Sequence, residues 1–244
     1  MNDFAYYLLT GAIDFFLWGG EVIGEENLPR QGPAVFVGNH LNATGPIAAA
    51  CSLPMQTHPW AIDYMMDKDQ APAWLQADFC ERILHLRPPV SRWFARFLCR
   101  FVVPLFHSLG AIPVAAGDYD RMEETLRLSL DVLRRGEFLF IYPEDYRLPY
   151  DPVTRMQPFQ HSFVRVAEVY YKETRRRLSF IPVVAHDAGY LMIGQPIFHD
   201  PTNHPGSERR RLKNLLEQTI VRMYLDLGSK GKGAEAGELA SAGR

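Results

Sequence analysis

Two short segments of this chain carry side chains that can move a proton or hold an anion. The first is Gly38-Asn39-His40-Leu41-Asn42-Ala43-Thr44-Gly45-Pro46. A neutral imidazole of pKa about 6.5 can take a proton from a hydroxyl at physiological pH. The second is Phe140-Ile141-Tyr142-Pro143-Glu144-Asp145-Tyr146-Arg147. It places two carboxylates and a guanidinium in one loop, and the planar fork of arginine suits phosphate or carboxylate. His40 also has a plainer reading, a satisfied structural histidine at a strand end. Glu144 and Arg147 likewise have one, a mutual salt bridge that shapes the loop.

Both segments follow continuous apolar runs, Ala34-Val35-Phe36-Val37-Gly38 and Phe138 to Tyr142. Such runs fit strands covered on both faces, as in a parallel sheet. If the two strands run parallel, His40 and residues 144–147 open onto one sheet edge, where ligands of open α/β sheets sit. Pro46 suits the first position of a helix through about Ser52, whose free N–H groups favour an anion.

Further elements follow from pattern. Trp60 to Tyr64, Ala111 to Val114, Phe180 to Val184 and Tyr190 to Ile193 read as strands. Residues 65–109, Asp120 to Arg135, Phe159 to Thr174 and Glu208 to Leu227 read as helical. Strands alternating with helices predict an α/β fold: a single domain with a mostly parallel central sheet flanked by helices. The expected division is an N-terminal apolar helix in 1–24, the α/β domain in 25–227 and a disordered tail in 228–244, which lacks apolar bulk.

Phe4 to Trp18 is nearly all apolar but contains Asp14. As a helix it would be roughly 22 Å long, short of the roughly 30 Å of a bilayer core. It suits a helix lying in the interface or one packed on the domain. No secretory signal is evident. Arg92, Arg96 and Arg100 recur at helical spacing among Trp93, Phe94, Phe97 and Phe101. That composition fits an interfacial helix or a surface helix with a solvated basic face.

With a net charge of −2, a nucleic-acid partner is not expected. Cys51, Cys80 and Cys99 are far apart and odd in number, so they imply no disulfide framework and read as small buried apolar residues. The other histidines lack metal-ligand spacing, so no metal is expected. GxSxG, P-loop, GxGxxG and HExxH motifs are absent.

The ordered set formed by Asn39-His40, Gly110-Ala111-Ile112-Pro113-Val114, Tyr142-Pro143-Glu144-Asp145-Tyr146-Arg147, Phe180-Ile181-Pro182-Val183 and Gly194-Gln195-Pro196-Ile197 resembles the lysophospholipid and glycerol-phosphate acyltransferase superfamily. The resemblance covers roughly residues 25–200. It implies an enzyme moving a fatty acyl group from acyl-CoA or acyl carrier protein to a lipid hydroxyl, with His40 as general base and no further cofactor. It also implies a cytoplasmic protein, peripheral on the inner face of a membrane. Asn39, Asn42, Glu144 and Arg147 are the implied substrate-binding residues.

Two family positions differ. The aspartate five residues after the histidine is Gly45 here, and the arginine expected just after Val114 is replaced by Ala115 and Ala116, with Arg121 the nearest. Asp145 is the expected stand-in for the missing carboxylate. Asn42 is a second candidate, since an amide can fix an imidazole tautomer without carrying charge. The missing groups also motivate a lipid-binding protein that has lost catalysis. A third reading is a thioesterase in which water replaces the alcohol.

Overall fold

In the computed structural model, which describes residues 20–41, 44–82, 84–115 and 119–242, the run Ala34–Gly38 forms a strand buried along its whole length. The elements in chain order are β1 (Glu21–Ile23), β2 (Ala34–Gly38), α1 (Thr44–Ser52), β3 (Thr57–Ile62), α2 (Ala71–Trp74), α3 (Val90–Ser108), β4 (Ile112–Val114), α4 (Tyr119–Arg134), β5 (Phe138–Ile141), α5 (Arg165–Thr174), β6 (Ser179–His186), β7 (Tyr190–Ile193), β8 (Ile197–Phe198) and α6 (Pro205–Ala242). A π-helical stretch, Leu75–Glu81, follows α2. Residues 58–131 form one compact unit, and the described residues before and after them form another.

The flanking segments build a sheet in the order β1-β7-β6-β2-β5. β2 lies parallel to both β5 and β6, and β1 parallel to β7. β7 and β8 run antiparallel to β6. β2 has a strand on each side and is buried on both faces, and the burial is why its sequence is apolar without alternation. Phe36, Phe180, Leu139, Ile141 and Ile181 are almost wholly withdrawn from water. The Phe36 ring stacks near Phe140 at 6.0 Å between centroids. Helices α1 and α6 pack on β6. The architecture is the expected one: α/β, a mostly parallel sheet and flanking helices.

In the 58–131 unit, β3 and β4 pair in parallel, with Trp60 opposite Ile112. The Trp60 indole N–H donates to Ser129 Oγ at 2.9 Å, tying β3 to α4. Ala95, Cys99 and Val103 of α3 pack with Ala71, Leu75 and Cys80. Cys80 and Cys99 are thus the small core residues their sequence suggested, and burial raises both thiol pKa values.

Several boundaries differ from the sequence reading. Glu21–Ile23 is a strand rather than the end of a helix, because its backbone pairs with β7. Phe4 to Trp18 lies outside the described residues. Phe159, expected to open a helix, instead bridges to Glu144 in an antiparallel contact. α6 continues past Leu227 to Ala242, and no proline interrupts it. β8 has only two residues, too few to leave a periodic signal.

Candidate active site

The turn after β2 is built residue by residue. Asn39 is buried, at 1% exposure. Its Nδ2 donates to the Ala185 carbonyl and its Oδ1 accepts the Ala185 N–H, both at 2.9 Å. The side-chain amide replaces a peptide group against β6, so the main chain can leave the sheet without orphaning buried polar groups. The Asn39 amide, expected to meet substrate, is bonded to backbone through both its nitrogen and its oxygen. Leu41 follows at φ 42°, a left-handed conformation that costs a non-glycine residue of order 1–3 kcal/mol. Its buried side chain helps hold it there.

Between Asn39 and Leu41 the His40 residue is exposed. Its N–H donates to Glu144 Oε1 at 2.6 Å, and its carbonyl accepts the Gly45 N–H at 3.1 Å. The ring sits edge-on to Tyr142, with centroids 5.3 Å apart and planes at 68°. Burial pushes the Tyr142 phenol well up. The histidine backbone is thus pinned on both sides.

Glu144 joins the two sequence segments across the parallel β2–β5 pair. Oε1 takes the His40 N–H, and Oε2 takes the Gln157 N–H at 2.7 Å. Burial raises the Glu144 pKa, and the two backbone N–H groups oppose that rise. Asp145 is used differently. Arg147 holds it through Nε at 2.8 Å and Nη2 at 2.7 Å. That ion pair keeps the Asp145 carboxyl below its usual range. The plainer reading, a salt bridge between Glu144 and Arg147, gives way to two other contacts, Glu144 with the His40 backbone and Asp145 with Arg147. The Arg147 side chain stays 64% exposed, so part of its fork remains available to solvent or ligand.

Asn42 lies outside the described residues. Gly45 does not leave room for the family's carboxylate. A Cβ there would collide with the Asn39 carbonyl oxygen and come within 2.7 Å of the His40 carbonyl oxygen. Both obstacles are backbone, so neither can swing aside. Arg121, the nearest arginine after Val114, pairs with Asp63 at 2.5 Å in the 58–131 unit.

The sequence reading gave three contributors no role. Tyr142 stood there within the Tyr142 to Arg147 block without one. Gln157 acts through its backbone N–H, for which no side-chain signal exists. Pro158 accepts the Asp145 N–H at 2.9 Å. Gln157, Pro158 and Phe159 also line a cleft of about 540 Å³ with Tyr150, Val153, Met156 and Leu225. Its walls are mostly apolar, and its size lies within the usual range for small-molecule sites.

A family model described as Acyltransferase matches residues 20–186. Among solved structures, the 1-acyl-sn-glycerophosphate (LPA) acyltransferase PlsC from Thermotoga maritima superposes with a TM-score of 0.50 at 15% identity, covering 93% of this chain and 83% of that one. No curated protein matches the sequence. The family match starts just before β1, takes in His40 and the Glu144–Arg147 loop, and ends with β6, so this chain belongs to the Acyltransferase family.

Proposed function

We propose that the chain transfers a fatty acyl group from a thioester, acyl-CoA or acyl carrier protein, to the hydroxyl of a lysophospholipid or related lipid. The observation that carries this reading is the exposed His40 at the end of β2, its backbone N–H held by Glu144 from the loop after the neighbouring strand β5. A ring nitrogen of His40 takes the hydroxyl proton as the oxygen attacks the thioester carbonyl. The tetrahedral intermediate collapses, the C–S bond breaks, and the imidazolium returns the proton to the departing thiolate. Glu144 and Asn39 position the histidine. Arg147, held by Asp145, offers its exposed fork to an anionic part of donor or acceptor. The apolar cleft beside the loop is assigned to a fatty chain. The work is placed at a membrane surface on the cytoplasmic side, where such acceptors reside. Among the described residues no helix is long and apolar enough to cross a membrane.

Asp145 remains the proposed acidic contributor, acting through Arg147. A direct contact with the imidazole is the alternative form of its role. Asp145→Asn separates the two. Acting through Arg147, it raises KM with kcat nearly kept; acting on the imidazole, it lowers kcat.

A second reading, a lipid-binding protein without turnover, is favoured by one observation. Position 45 is closed by backbone, so no carboxylate can stand where the family has one. Lipid mass spectrometry of cells expressing the chain or its His40→Ala variant decides between them. Acyl transfer predicts new acylated lipids with the parent chain and none with the variant. Identical lipid profiles would leave only the binding reading.

A further inference from the structure

Helix α3 (Val90–Ser108) has three distinct faces. One is internal, with Ser91, Ala95, Cys99 and Val103 buried. The second is a stripe of large aromatic side chains in water: Trp93 is 70% exposed, Phe97 43% and Phe101 61%. Trp93 and Phe97 lie stacked at 6.0 Å, and Phe97 meets Phe101 edge-on at 5.3 Å. Spaced by four, the three run along the helix for about 12 Å. The third face is the exposed row Arg92, Arg96 and Arg100. With 3.6 residues per turn, that row lies beside the aromatic stripe, about 100° away. The helix contains no Asp or Glu. The neighbouring acid, Glu81, accepts bonds from Gln76 and Ser91, and Arg92 lowers its pKa further.

Contiguous exposed apolar surface of this kind marks an interaction site. The stripe stands out from a convex helix, so its occupant must let wide rings enter it. The adjoining guanidinium row requires that occupant to be negatively charged. A bilayer interface with anionic headgroups meets both demands: the rings enter the acyl boundary while the arginine stems lie along it and their heads reach phosphate. We propose that α3 docks the chain on an anionic phospholipid surface, an inference that rests on the lipid-acceptor reading for its purpose. It places the docking element between His40 and the Glu144 loop in sequence, in addition to any part played by the apolar segment before residue 20.

The test is cosedimentation of the full chain with phosphatidylcholine vesicles, with and without phosphatidylglycerol. Two double variants accompany it, Trp93→Ser/Phe101→Ser and Arg96→Gln/Arg100→Gln. All four positions are exposed, and an unchanged far-UV circular dichroism spectrum checks that each variant folds. The parent chain is expected to favour the anionic vesicles, and each double variant to bind them about tenfold more weakly or worse. Parent and variants binding alike would overturn the proposal, as would variants that keep vesicle binding but lose binding to a soluble acidic carrier protein assayed alongside. Turnover of a short-chain, water-soluble thioester and acceptor is measured in parallel. Absent turnover with α3-dependent vesicle binding defeats the acyl-transfer reading alone. Preserved turnover with α3-independent binding defeats this inference alone.

Discussion

At the scale of single residues, the site depends on hydrogen bonds that fix the histidine backbone. Glu144 accepts two backbone N–H groups, one on each carboxylate oxygen. A glutamine can accept only one and would turn its NH2 toward the other. Glu144→Gln is therefore expected to cost about 1–3 kcal/mol and to lower turnover, as read by urea unfolding and initial rates. The pH signature follows from the raised pKa. A carboxyl whose folded value exceeds its unfolded value holds its proton more tightly in the folded state. Its contribution to stability is fullest below the unfolded value and falls as pH rises toward the folded one. Glu144→Gln should remove that decline from a plot of stability against pH, and an unchanged slope would contradict the assignment. Gly45→Asp, which restores the family's residue type, is expected to reduce activity, because its Cβ meets the Asn39 and His40 carbonyl oxygens. A gain in rate would show that the turn can open.

At the scale of elements, β2 carries the load. It is central in its sheet, and Phe36 has no exposed surface. Phe36→Ala should cost about 3–5 kcal/mol, read as a lower urea midpoint with an unchanged m-value. Asn39→Ala should also destabilise, by about 1–3 kcal/mol, since it strands the buried N–H and carbonyl of Ala185. β2 and β5 were legible in the sequence because burial on both faces demands an unbroken apolar run. β1 and β8 were not, being three and two residues long. The site was legible to the same depth. Asn39-His40 and Glu144 to Arg147 could be read as facing one sheet edge. Which carboxylate served which partner could not, because the answer depends on the Gln157 and Pro158 backbone, distant in pattern and silent in residue type.

At the scale of the whole molecule, the β2–β5 pair of an α/β sheet holds His40 beside the Glu144 loop, and helix α3 carries the exposed aromatic and arginine rows. The proposed reaction asks for a hydroxyl, a thioester and one proton acceptor, and it assigns the last role to His40. The missing carboxylate at Gly45 sets the expected scale of activity. Loss of the aspartate from a serine-protease triad costs about 10⁴-fold in rate, so turnover should be slow beside a family member that keeps it. The most direct measurement is acceptor-dependent thiol release from an acyl thioester, with a lysophospholipid supplied or withheld. Thiol release is predicted to require the lysophospholipid and to fall by about 10²- to 10⁴-fold in His40→Ala. Release that ignores the acceptor, or that survives in His40→Ala, would contradict the account.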